Sequence, residues 1–299
     1  AAVPVIIFYL SLWLKAKTDE KRPIAALLAV FAVSIVFWAV FKQNGTALTN
    51  WGKYFTDREV PATFEPIGRS LYQVEEMKTV PGEVAQYNEQ FQAIKDSAGN
   101  VKKATGLNVY FRNLPPERVP TDGKPVYLTS TELYQSINPA WVVLLTPLVV
   151  WFFAWLRKRK KEPTTPSKIT LGLFISALST LVMVGAVYAS SDGNIKVSPW
   201  WLIGSYGVIT LGELCLSPMG LSLVSKLSPP RLTALMMGGF FLSTSIGNKM
   251  SGVLASLWYN YDNKAHFFLV NFLLLLASTG LALLLLRWLN RVMAEKNIR

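Results

Sequence analysis

The residues best placed to do chemistry are Gly212-Glu213-Leu214-Cys215-Leu216-Ser217-Pro218-Met219-Gly220, inside an apolar stretch from about Pro199 to Leu227. A carboxylate at Glu213 would lie near the middle of a bilayer, where a charge costs at least about 2.5–3.5 kcal/mol. A carboxylate that alternates between a buried setting and one beside a cation can load and release a proton. Pro218 frees the carbonyl of Leu214, because proline brings no N–H to the helix ladder. On helical spacing Tyr206, Thr210, Glu213, Ser217 and Gly220 share one face. A polar stripe within an apolar helix is tolerable where it meets protein or a wet cavity, so the stripe reads as the lining of a pathway.

Two lysines also fall within apolar stretches, Lys42 and Lys249. Each is a functional candidate by its cost. The competing reading is that a long stem carries the ammonium out to the interface. Asn138 follows Tyr134-Gln135-Ser136-Ile137 and precedes Pro139, with a second break at Pro147. Its amide can contact a solute amine or amide, or simply satisfy the freed backbone. Trp38 and Phe41 beside Lys42 are pocket walls or packing residues. Phe240, Thr244 and Asn248 share a helical face that could line a cavity, together with Lys249 and Gln135. The ridge Gly239, Ser243, Gly247, Ser251 and Ala255 reads instead as a close-packing surface for a neighbouring helix.

The elements that must hold these groups are membrane spans. The chain has 299 residues, is 51% hydrophobic and 16% charged, and carries one Cys and one His. That composition excludes a disordered chain and most soluble enzymes. No Cys/His set has metal-ligand spacing, and no nucleophile motif or cofactor loop is present. An enzyme using Glu213 and Lys249 as an acid/base pair therefore has little support, and no cofactor is expected. The first residue is Ala1, in mid-apolar sequence, which suggests a fragment.

Six spans are expected, at about 24–45, 132–156, 169–189, 199–227, 232–258 and 267–289. Residues 1–23 are a truncated span or linker helix plus a charged loop, and 292–299 a tail. Basic clusters at 15–22, 157–168, 226–231 and 287–299 alternate with near-neutral links. The positive-inside rule then puts both ends of the bundle in the cytoplasm. The net charge of +12 is explained by those loops, without a nucleic-acid partner. The region 46–131 is a long extracytoplasmic insert. A helix is expected after Pro81-Gly82, with Val84, Tyr87, Phe91 and Ile94 on one face, and strands at 108–111 and 125–128. The insert reads as decoration with a small core, or as a partner-binding or gating element.

Four stretches resemble the proton-dependent oligopeptide transporters of the major facilitator superfamily. They are Phe37-Trp38-Ala39-Val40-Phe41-Lys42-Gln43-Asn44-Gly45-Thr46, Tyr134-Gln135-Ser136-Ile137-Asn138-Pro139, Gly212 to Gly220, and Met237-Gly238-Gly239-Phe240-Phe241-Leu242. They occur in the order of that fold's C-terminal half. The resemblance implies an all-α, six-helix C-terminal bundle of a major facilitator fold, and proton-coupled symport of di- and tripeptides. The partners implied are small peptides, protons, the lipid bilayer and an N-terminal six-helix half, in an inner membrane. It further implies that Glu213 faces the peptide's amino end, that Asn138 contacts substrate and that Phe240 forms an aromatic wall; Ser217, on the polar face of Glu213, and Trp38 are further substrate-binding candidates. Lys42 departs from the acidic residue common at its position, which links it to gating and proton handling. That departure keeps open a carrier of another, possibly anionic, solute. The long insert keeps open a non-transporting receptor or scaffold.

Overall fold

The computed structural model describes residues 2–71, 73–120 and 123–296. The first apolar run is α1 (Ala2–Leu14), too short to span. It is tied down by Tyr9, whose hydroxyl donates to the carbonyl of Leu235 at 2.9 Å. Then come α2 (Thr18–Phe41), a 3-10 turn (Lys42–Gly45), and α3 (Ala47–Tyr54). The first span, expected to end near Gly45 or to continue toward Trp51 as an interfacial end, belongs to an apolar helical stretch of 37 residues from Thr18 to Tyr54, interrupted by that 3-10 turn. Trp51 is fully buried, so packing carries the helix through the polar Gln43-Asn44-Gly45.

The bundle is completed by long helices that follow the insert. They are α5 (Leu133–Lys158), α6 (Thr165–Ala189), α7 (Trp200–Leu227), α8 (Thr233–Ser256) and α9 (Lys264–Glu295). Among the described residues, five stretches are long and apolar enough to cross a membrane: Thr18–Tyr54, α5, α6, α7 and α9. The fifth of the six expected spans corresponds to α8, which is not among them. Its 24 residues are sufficient in length, but Gly, Ser, Thr, Asn and Lys dilute its hydropathy. The expected tail 292–299 is the end of α9 as far as Glu295, and 297–299 lie outside the described residues.

The helices pack in two groups. α6 lies against α7 and α9, and α2 against α8 and α9, while α5 rests on α7 and leaves its other faces open. The small-residue ridge of α8 does meet a neighbour. A Cβ placed on Gly247 would come within 2.5 Å of the Cβ of Trp38 on α2. Ser243 and Ser251 of the same ridge are buried. Where backbones approach this closely only small residues fit.

The insert is mixed, and much of the expectation for it fails. A short helix α4 (Glu65–Ser70) precedes β1 (Val74–Met77), which pairs antiparallel with β4 (Val126–Thr129), as expected for 125–128. Residues 82–97 are not helical. β2 (Gly82–Ala85) pairs with β3 (Lys103–Gly106), and bridges Tyr87–Ala93 and Lys95–Val101 join them toward a turn at Gly99, whose φ is +86°. Pairing with a distant strand overrides the helical spacing of Val84, Tyr87, Phe91 and Ile94. Residues 109–113 form a 3-10 turn rather than a strand, capped by Asn108, whose Oδ1 accepts from the N–H of Tyr110 at 2.9 Å. Competition of this kind between side chain and ladder is typical of Asn.

The insert docks onto one end of the bundle. Phe91 stacks on Tyr54 at 5.1 Å, and Asn113 Nδ2 donates to the carbonyls of Tyr54 and Gly193. Gln90 Nε2 reaches Asp262 at 3.0 Å. The links 190–199 and 257–263 therefore meet the insert at the same end. The opposite end gathers the basic loops, where Arg22 pairs with Glu295 at 2.8 Å and Arg231 with Glu20.

Lys196 is a fastener at this joint. Its ammonium donates to the carbonyl of Tyr54 at 3.0 Å and lies 4.1 Å from the ring centre of Tyr110. Burial, helped by Arg58 and opposed by Asp57, pushes its pKa down to about 7. Between about 7 and 10.5 the unfolded chain therefore holds a proton here that the folded chain does not, and stability rises with pH across that window. Hydrogen exchange of the insert should slow from pH 6.5 to pH 9 beyond the intrinsic rate change. In Lys196→Met this pH-linked gain should disappear.

Candidate functional site

Glu213 sits in the middle of α7 and is half-buried, on the side that meets α5. Asn138 of α5 donates from Nδ2 to Glu213 Oε2 at 3.2 Å and to Thr210 Oγ1 at 2.9 Å. Thr210 in turn donates to the carbonyl of Tyr206 at 2.7 Å, which fixes its hydroxyl. The arrangement follows from local sequence. Thr210 and Glu213 are three apart and so share a helix face. Pro139 follows Asn138 and cannot donate to the carbonyl of Gln135, which loosens α5 there. Trp141, three residues beyond Asn138, then anchors this end of α5. Its Nε1 donates to the carbonyl of Ile203 at 3.0 Å, and its indole lies over Gly207.

The cation on this side is Lys42, at the break between α2 and α3. Its ammonium lies 5.8 Å from the ring of Trp38 and 5.7 Å from that of Phe41, within cation–π range. The site thus presents an anion on α7 and a cation on α2, with an amide between α5 and α7. The indole N–H of Trp38 and the hydroxyl of Ser217 are buried with no hydrogen-bond partner among the described residues.

Other expected lining residues are placed differently. Tyr206 is fully buried, its hydroxyl donating to the carbonyl of Asn44 at 3.3 Å, so it braces the helix break and lines no opening. Phe240 is also buried. Its ring covers Gly220 of α7 and meets Phe31 edge-on at 6.1 Å, inside the core. Gln135 is exposed at the start of α5, and Asn248 and Lys249 are exposed on α8, apart from the Glu213–Asn138 contact. Trp141 was not singled out by the sequence reading. Its spacing from Asn138, one helical turn past a proline, was the available signal.

Removing the Asn138 amide leaves Glu213 without its neutral donor and Thr210 without a partner from α5. A lost hydrogen bond to a charged group is worth about 1.5–3 kcal/mol. Solute affinity in Asn138→Ala should fall roughly tenfold. Isothermal titration with a solute of the detergent-purified protein reads this, and Asn138→Asp should not rescue it.

A bundle whose long helices are apolar enough to cross a membrane defines a multi-pass membrane protein. Residues 126–270 match the family model described as "POT family". "Uncharacterized transporter YclF" of Bacillus subtilis is 33% identical over 160 residues, covering 54% of this chain and 32% of that protein. The "Di-/tripeptide transporter" of Lactococcus lactis is 25% identical over 271 residues, covering 90% of this chain and 41% of that protein. A crystal structure of the peptide transporter POT, a Glu-to-Gln mutant in complex with sulfate, superposes with a TM-score of 0.66 at 25% identity. It covers 97% of this chain and 45% of that one. Over residues 126–270, just under half of its length, the chain is similar to the POT family. It spans under half the length of the relatives it matches.

Proposed function

We propose that this chain supplies the C-terminal, six-span half of a proton-coupled symporter of di- and tripeptides in the inner membrane, with its C-terminus cytoplasmic. One observation carries the reading: Glu213, a carboxylate inside a span, is held by Asn138 between α5 and α7. A peptide's ammonium suits Glu213, and Asn138, Ser217 and Trp38 offer polar atoms around it. Lys42 balances Glu213 in the empty site. An arriving ammonium competes with that balance, and protonation of Glu213 releases the ammonium again. Alternating access then requires an N-terminal bundle rocking against this one around the site. The insert 46–131 remains on the outer end. No cofactor beyond the proton gradient enters this scheme.

Support comes from the Lactococcus lactis relative, named a di-/tripeptide transporter, from the similar peptide transporter structure, and from the carboxylate and amide at the site. The second reading, a carrier of an anionic solute, is favoured by Lys42 alone. Uptake of labelled dialanine into proteoliposomes carrying the full-length protein separates them. Accumulation that needs an inward proton gradient supports the proposal. Binding of peptide without uptake points to a receptor, and gradient-driven uptake of an anion but not dialanine points to the second reading.

A further inference from the structure

At the basic end of the bundle a cavity of about 1020 Å³ opens between the last turns of α5, α7 and α9 and the first turn of α6. Arg157, Lys160, Lys168 and Lys226 line it, against one acid, Glu162. Glu162 accepts from Arg157 Nε and from Lys168 Nζ, both at 2.6 Å, and these partners hold its carboxyl down at about 2. It therefore stays anionic and offsets part of the positive charge. Lys160 has no carboxylate partner among the described residues. Helix α6 starts in this cavity, with Thr164 as its N-cap and no acid in its first turn, so its positive dipole end opens onto the cleft. A further polar atom, Oδ1 of Asn290, is buried at the wall with no hydrogen-bond partner among the described residues.

We propose that this cleft holds the headgroup of an anionic phospholipid. The phosphate sits against Lys160, Lys226 and the α6 N-terminus, and a headgroup hydroxyl donates to Asn290. Two observations favour a lipid over free phosphate. Arg159 stacks on the exposed Trp155 at 4.0 Å, an arrangement suited to a membrane interface. Leu171, Phe174 and Leu178 of α6 are exposed along the helix leading away from the cleft, a path for an acyl chain. The site is separate from Glu213 and does not depend on which solute is carried.

The test is native mass spectrometry of the detergent-purified full-length protein with phosphatidylglycerol, phosphatidylcholine or inorganic phosphate. Phosphatidylglycerol should be retained at least about tenfold better than phosphatidylcholine. The double variant Lys160→Gln/Lys226→Gln should lose that preference, and Lys160→Arg/Lys226→Arg should keep it. Lys102→Gln, an exposed change on the insert, should have no effect. Equal retention of the two lipids overturns the proposal. So does an unchanged preference in the glutamine double variant at unchanged thermal stability, or displacement of the lipid by millimolar inorganic phosphate.

Discussion

Glu213→Gln is expected to abolish gradient-driven uptake while leaving the protein folded. Glutamine has the same shape, and its carbonyl oxygen still accepts from Asn138 Nδ2, so the tie between α5 and α7 survives. Thr210 keeps both of its partners. What disappears is the charge that a solute ammonium would pair with, and the group that would carry a proton. Losing a hydrogen-bonded charge partner for the solute ammonium is worth about 1.5–3 kcal/mol, and losing the proton carrier stops coupling, so gradient-driven uptake should fall at least about a hundredfold. Thermal stability should stay within a few degrees of the parent. Uptake by the Gln variant with an unchanged proton dependence would sink the role given to Glu213. Lost folding with Gln would instead mark it as a structural residue.

Gly212→Ala should be the most damaging small substitution in the bundle. Gly212 lies where α7 crosses α6. A Cβ there would sit 2.0 Å from Ser176 Oγ and 2.7 Å from the carbonyl oxygen of Gly172, a backbone atom that cannot turn aside. The reverse contact is as tight, with a Cβ on Gly172 reaching the carbonyl of Gly212 at 2.7 Å. The helices must separate to admit one methyl group. Overpacking of this kind costs about 1–3 kcal/mol, which lowers a melting temperature by roughly 5 °C. The next residue is Glu213, so a displaced α7 also carries the carboxylate away from Asn138 and solute affinity falls with stability. Gly204→Ala, on the same helix but facing open space, is the control. It should be neutral or slightly stabilising, since alanine is the better helix former. Equal melting temperatures for the two alanine variants would show that the crossing yields more easily than the distances imply.

Much of the fold was legible in the sequence, and the reason is specific to membranes. Apolar stretches of span length cannot be satisfied elsewhere, so five of the six expected spans coincide with helices long and apolar enough to cross a membrane. The cost of an anion in such a stretch singled out Glu213, and the proline after Asn138 marked the helix that meets it. The insert was less legible. Val84, Tyr87, Phe91 and Ile94 have helical spacing, yet β2 pairs with β3 across a long separation, and Phe91 packs on Tyr54 of the bundle. Spacing within a segment carries no information about such partners.

By itself, then, the sequence determined the span lengths, the basic and neutral ends, and the residues too costly to be idle. The tertiary structure decided which faces those residues turn toward one another. A span that is apolar all round does not reveal which side a neighbour will cover. Only the packing of α7 put Tyr206 in the core and Glu213 beside Asn138, 75 residues away. Only the meeting of α8 with α7 laid Phe240 over Gly220 and closed it off. The break after Phe41 set the Lys42 ammonium near the rings of Trp38 and Phe41, because a helix end can direct a side chain in a way that linear spacing does not encode.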